Sequence, residues 1–197
     1  MNQEKVLNIF RKTNALLVGH FLLTSGKHSN IYLEKFMVLQ YPEYTEKLAK
    51  EIAAHFKRKK PDVVIGAAVG GIILAYEVAR QLGTRGIFME REEGKLVLRR
   101  NFEIKKGEKV LIVEDIVTTG GSVKELIESL KGRDCEITGV GIIINRSGGE
   151  LNFGVDDVFA LATVDVNSYE PDNCPFCKKK IPLTARGSKY LKKDVYK

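Results

Sequence analysis

Apolar positions along the chain recur first at helical spacing and then in short runs. Val6, Leu7, Phe10, Asn14 and Leu17 share one helical face, which Ile9 and Leu16 widen. This spacing predicts a first helix that stops near Gly19. Residues 21–23 and 31–33 read as short strands around a polar turn of residues 24–30. Pro42 suits the first position of a helix running to about Phe56, because its fixed φ and missing N–H cost nothing there. A basic loop of residues 57–61 follows.

The pattern then becomes regular. Residues 63–65 form an apolar strand, residues 66–71 a Gly-rich turn, and residues 72–82 a helix closed by Gly83. Residues 86–89 make a second strand. Residues 90–100 are charged, contain Gly94 and offer little that packs. Residues 109–113 form a third strand, residues 121–130 a helix closed by Gly132, and residues 137–144 a fourth strand. Such alternation predicts an α/β fold whose parallel sheet carries helices on both faces. Ligands of such sheets bind outside the carboxyl ends of the strands. From Gly154 the chain is less regular and holds three of its five prolines.

With 197 residues the chain fits one domain, with room for a small appended hood. Hydrophobic residues at 44% and charged residues at 29% are ordinary for a globular protein and exclude wholesale disorder. No apolar run approaches the ~20 residues of a membrane span, and the first twelve residues lack the pattern of a secretory leader. Three cysteines make a poor disulfide framework, so a reducing, cytoplasmic setting is expected. The net charge of +7 suits nucleic acid or phosphorylated small molecules. The cations are spread along the chain and no nucleic-acid-binding motif accompanies them, so no nucleic-acid partner is expected.

The segment VLIVEDIVTTGGS, residues 110–122, carries the strongest chemistry. Four apolar residues form a buried strand, and Glu114 and Asp115 stand at its carboxyl end. Ile116 and Val117 lead into Thr118, Thr119, Gly120, Gly121 and Ser122, where a helix begins. Glycines that admit backbone N–H groups, hydroxyl donors and a helix N-terminus together make a phosphate cup. The carboxylates suit a neighbour of that phosphate, either sugar hydroxyls or the hydration shell of Mg²⁺. A phosphate cup beside a diol-binding acid pair describes a ribose 5-phosphate site. The plain alternative is a helix capped by Thr119 or Ser122 behind an incidental acid pair, but two acids at a buried strand end are costly without a ligand. There is no GxxxxGK[ST] loop, and the GAAVGG of residues 66–71 is not a dinucleotide fingerprint.

VLIVEDIVTTGGS resembles the 5-phosphoribosyl-1-pyrophosphate (PRPP) motif of type I phosphoribosyltransferases. GHFLLTSGKHSNIY (19–32), FMEREEGKLVLRR (88–100), IINRSGG (143–149) and NCPFCKKKIPL (173–183) resemble the orotate phosphoribosyltransferase family, in the family's order and over nearly the whole chain. The resemblance implies a single domain over residues 1–197. Its parallel phosphoribosyltransferase-like core spans about residues 42–165, and its hood is built from about 1–41 and 166–197.

By the same resemblance, Glu114 and Asp115 bind the ribose hydroxyls, and residues 118–122 take the 5′-phosphate, with Thr118 also near orotate. Ala67, Ala68, Val69, Gly70 and Gly71 match the pyrophosphate loop, although a tight strand-to-helix turn would have the same small residues. Residues 90–100 resemble a catalytic loop that closes over the neighbouring subunit's site, where Arg91 and Lys95 meet the departing pyrophosphate. A solvated β-hairpin is the other reading of this stretch. Many relatives carry more lysines and a histidine there, whereas this chain has no histidine after His55. Lys27, Tyr32 and Arg146 match positions around orotate. A guanidinium suits a planar, carboxylate-bearing ring through paired hydrogen bonds. Where relatives have Ser-Pro, this chain has Ser29 and Asn30.

Cys174 and Cys177 form CPFC, one half of a zinc knuckle. A tetrahedral site needs four ligands; Cys135 stands at the start of the fourth strand, His20, His28 and His55 are scattered upstream, and the chain has no second CxxC. A reduced structural pair or a redox-sensitive turn is therefore expected, with no protein-bound metal.

The expected activity is transfer of the 5-phosphoribosyl group from PRPP to orotate, giving orotidine 5′-monophosphate and pyrophosphate, with Mg²⁺ carried by PRPP. The resemblance also implies a homodimer that shares its lid between subunits, and no membrane partner. The rival readings are a phosphoribosyltransferase for another base and a PRPP-sensing regulator that binds nucleic acid. Arg146 and Lys27 speak against a neutral base, and no spare segment is available for nucleic acid.

Overall fold

Six strands form the central sheet in the order β5 (Lys95–Leu98), β4 (Arg85–Glu92), β3 (Val63–Ala67), β6 (Lys109–Val117), β7 (Glu136–Asn145) and β8 (Val158–Thr163). The structure is a computed structural model that describes residues 1–23 and 25–186. Strands β3, β4, β6, β7 and β8 are parallel. Strand β5 turns back antiparallel to β4. Helix α4 (Gly70–Leu82) links β3 to β4, and α5 (Gly121–Leu130) links β6 to β7.

Alternation along the strands sorts the core onto two faces. Val64, Leu111 and Val113 pack against Leu48, Ile52 and Phe56 of α3 (Pro42–Phe56) and Leu74 and Val78 of α4. Val63, Ile65, Val110 and Ile112 pack against Val123, Leu126 and Leu130 of α5. The parallel α/β core with helices on both faces is therefore as the sequence predicts. Helix α1 (Gln3–Lys12) also lies on this core, where Val6 and Phe10 are buried.

The first helix ends at Lys12, not near Gly19. The Thr13 hydroxyl donates to the Ile9 carbonyl at 2.9 Å, Asn14 takes φ +53°, and the Ala15 N–H donates to the Phe10 carbonyl at 2.8 Å. A left-handed residue closing the last turn is a common helix stop, and Asn tolerates it. Leu16 and Leu17, which continue the helical spacing in the sequence, instead open β1 (Leu16–Leu22).

Strand β1 pairs antiparallel with β2 (His28–Leu33). The C-terminal region supplies both flanks of this hairpin. Strand β10 (Thr184–Ala185) runs parallel to β1, and β9 (Ser168–Tyr169) antiparallel to β2. The result is a second, four-stranded sheet, from which α2 (Lys35–Leu39) leads back to the core.

Residues 90–100 form no featureless loop. Glu93 and Gly94 both take positive φ at the tip of the β4–β5 hairpin, the geometry of a tight two-residue turn. Leu96 is 3% exposed and Leu98 packs beside it. The expectation that little here packs is corrected: the stretch is a β-hairpin whose Leu96 and Leu98 pack on the core. Residues 57–59 close into a short 3₁₀ turn rather than a loop. Among the described residues no helix is long and apolar enough to cross a membrane.

Candidate active site

The largest chemical investment lies where β6 ends and α5 begins. A cavity of about 590 Å³ is walled by Glu114, residues 116–123, Lys35, Arg91 and Glu125. Gly120 adopts φ +75°, a conformation that favours glycine, and a Cβ there would collide with the Phe153 ring. Among the described residues no side chain caps α5. Its first N–H groups therefore point into the cavity without intrahelical acceptors, beside Thr118, Thr119, Gly121 and Ser122. This is anion-binding geometry.

Glu114 and Asp115 are 6% and 1% exposed at the strand end. Asp115 Oδ1 accepts the Ile116 N–H at 2.6 Å, and Glu114 Oε1 accepts the Asp115 N–H at 3.2 Å. Lys35 Nζ stands 3.0 Å from Asp115 Oδ2 as an ion pair, out of line for a hydrogen bond, so Oδ2 has no hydrogen-bond partner among the described residues. Burial pushes the Glu114 carboxyl up to about 8; the Asp115 charge adds to the rise and Lys35 opposes it. Burial raises Asp115 as well, against the pull of Lys35. A buried acid pair with an open acceptor beside an uncapped helix N-terminus can accept hydroxyl donors.

The turn from β3 to α4 lies alongside. Its Ala68–Val69 peptide is cis. A Cβ on Gly66 would overlap the Gly71 carbonyl, one on Gly71 would stand 3.0 Å from the Gly66 backbone, and one on Gly70 would overlap Asp115 Oδ2. The small residues bring β3 and α4 into backbone contact and let the turn reach the acid pair. Ala67, Ala68 and Val69 form the rest of this arch.

Arg91 reaches the cavity of its own chain, where its guanidinium donates to both oxygens of Glu125 at 3.0 and 2.7 Å. Lys95 does not line the cavity; it pairs in register with Glu92 near the hairpin tip. Arg99 and Arg100 flank the hairpin, paired with Glu92 and Glu90.

Arg146 follows β7, with its N–H on the Val117 carbonyl at 2.7 Å, which sets it beside the end of β6. Burial lowers its guanidinium pKa, and the neighbouring Tyr32 opposes that shift. Burial raises the Tyr32 phenol, with Glu34 adding and Arg186, Arg146 and Lys35 opposing. Hood and core thus bring Tyr32 and Arg146 together. Lys27 is elsewhere: its ammonium pairs with Glu170 at 2.7 Å.

A phosphoribosyl transferase domain model matches residues 39–170. The chain is 52% identical over 191 residues to the orotate phosphoribosyltransferase of Desulforamulus reducens, covering 97% of this chain and 100% of that protein. The chain belongs to the orotate phosphoribosyltransferase family. The Thermoanaerobacter sp. orotate phosphoribosyltransferase is 55% identical over 192 residues, 96% of this chain and 99% of that one. In fold, the chain is similar to the crystal structure of orotate phosphoribosyltransferase from Aeropyrum pernix, with TM-score 0.63, 24% identity, and 80% and 93% of the two chains covered. Sequence reading singles out neither Lys35 nor Glu125 in the cavity wall of this family member. Both come from elements remote from the motif they serve, and no spacing rule connects them to it.

Proposed function

We propose that the chain transfers the 5-phosphoribosyl group of PRPP to orotate, yielding orotidine 5′-monophosphate and pyrophosphate in pyrimidine nucleotide synthesis. The buried Glu114–Asp115 pair, with its open Asp115 Oδ2 beside an uncapped helix N-terminus, carries this reading.

In this reading the N–H groups and hydroxyls of residues 118–122 hold the 5′-phosphate. Glu114 and Asp115 accept the ribose hydroxyls and fix the ring. Ala67, Ala68, Val69, Gly70 and Gly71 present backbone to the diphosphate. Arg146 and Tyr32 set the orotate plane, and Lys27 turns from Glu170 toward the base. The base nitrogen bonds to the anomeric carbon as the carbon–oxygen bond to diphosphate breaks, so positive charge develops on the ribosyl ring and negative charge on the leaving group. Positioning and electrostatic stabilisation supply the catalysis. Arg91 meets the leaving diphosphate by exchanging Glu125 for it, and Lys95 adds a second cation. The carboxylate oxygens facing the cavity suit the hydration shell of a magnesium that arrives on PRPP. When bound, that ion supplies charge neutralisation to the leaving group. The working unit is a cytoplasmic homodimer in which the β4–β5 hairpin serves the neighbouring site.

Pyrophosphate release measured with orotate, uracil, hypoxanthine and adenine tests the reading. Release with orotate alone is expected. Release with another base at equal efficiency, or with none, overturns it.

A further inference from the structure

His20 on β1, His28 on β2, and Cys174 and Cys177 at the two ends of one turn of α6 (Pro175–Lys178) converge on a single point, with all four ligand atoms within 4.8 Å of one another. His20 Nε2 lies 3.0 Å from His28 Nδ1, 3.4 Å from Cys174 Sγ and 3.8 Å from Cys177 Sγ, and His28 Nδ1 lies 3.3 Å from Cys177 Sγ. Metal–sulfur bonds of ~2.3 Å and metal–nitrogen bonds of ~2.0–2.1 Å in a tetrahedron put ligand atoms roughly 3.3–3.8 Å apart. Four of the six edges, at 3.0–3.8 Å, are close to those of that tetrahedron, and the other two lie within 4.8 Å.

We propose that these four residues bind a structural zinc ion that clamps the C-terminal segment onto the β1–β2 hairpin. His20, His28 and Cys174 are buried, and none of the four lines the cavity at Glu114. The His20 Nδ1–H donates to the Ile181 carbonyl at 2.8 Å. That bond fixes the tautomer and leaves Nε2 as a lone pair aimed at the centre, the outer support that zinc-bound imidazoles usually have. Two nitrogens and two sulfurs are poor ligands for magnesium and good ones for zinc. Two thiolates and two neutral imidazoles give a zinc complex without net charge, which suits a buried position. Four protein ligands leave no open position, so the ion holds structure and does no chemistry.

The isolated CPFC of the sequence is joined by histidines about 150 residues upstream, and the proposal takes the place of the reduced pair without metal that the sequence alone leads one to expect. Hydrogen bonds among the four groups account for single contacts. One cation accounts for the convergence of three separate chain segments on one point. The clamp also fixes both ends of the turn that carries Lys27.

The test is metal content and X-ray absorption of untagged protein purified without chelator. About one zinc per chain is expected, with two sulfur and two nitrogen neighbours. Cobalt(II) exchange is expected to give the intense visible bands of a tetrahedral thiolate site. Cys174→Ser with Cys177→Ser, and separately His28→Gln, are expected to lose at least about nine-tenths of the zinc. Removing zinc from the wild type should lower its melting temperature, and zinc should restore it where magnesium does not. Folded, active wild type with no zinc, a Cys174–Cys177 disulfide in its place, iron instead of zinc, or an oxygen-dominated shell would each overturn the proposal. Full zinc content in the folded double variant would do the same. Should the variants fail to fold, the wild-type spectrum decides.

Discussion

Lys35 Nζ, at the start of α2, stands 3.0 Å from Asp115 Oδ2 at the end of β6. One partly exposed cation thus opposes the mutual repulsion of two buried acids. Lys35→Met is expected to raise the pH at which Glu114 and Asp115 ionise, because the opposing charge is gone. The acid limb of the kcat/KM profile for PRPP should move to higher pH, and Lys35→Arg should restore most of the shift. An unmoved limb in folded Lys35→Met protein would show that the pair ionises independently of Lys35.

The raised Glu114 carboxyl makes stability depend on pH. Its folded value of about 8 lies above the ordinary 4.5. Below the ordinary value both folded and unfolded chains hold the proton and no difference arises. Between the two values the folded chain binds more protons than the unfolded one, so unfolding free energy falls as pH rises, and above about 8 the loss is complete. The melting temperature of ligand-free protein should therefore decline across that window. Glu114→Gln should flatten the decline. A wild-type curve that rises through the window would contradict the burial of the acid.

Arg146→Ala should raise KM for orotate much more than KM for PRPP. Losing one partner of a buried charge-assisted contact costs about 2–5 kcal/mol. Steady-state kinetics with each substrate varied in turn checks this, and equal changes in both constants would make Arg146 a structural residue.

Mixing two inactive proteins tests which subunit the hairpin serves. One carries Arg91→Ala with Lys95→Ala, the other Asp115→Asn. If the lid acts on the neighbouring subunit, full exchange makes about half of the dimers mixed, each with one working site, so about a quarter of wild-type activity returns. If Arg91 serves the cavity it lines here, demonstrated exchange restores nothing.

Contiguous chemistry was the part of the site legible in the sequence. Glu114, Asp115 and residues 118–122 sit in one run, where strand, acids and cup follow without a break. Lys35 and Glu125 reach the same cavity from other elements, and their partners exist only after folding. His20 and His28 are visible in the sequence only as scattered histidines, since no local pattern ties them to Cys174 before folding brings them together. In the fold, periodicity placed the core strands and helices, but it ran through the end of α1 because Leu16 and Leu17 keep the helical phase. The charge of residues 90–100 masked the alternation of Leu96 and Leu98 that packs the hairpin.

The contact between Gly66 and Gly71 makes the arch of residues 66–71 a closed loop pinned at both feet. A random search through sequence space cannot widen the arch by enlarging either foot, because the first added carbon meets backbone and not a yielding side chain. If the proposed site is right, new substrate preferences in this scaffold have to arise at the hood and around Arg146, where side chains and not main chain would face the base. Any lineage that alters the feet must rebuild the register of β3 against α4 at the same time.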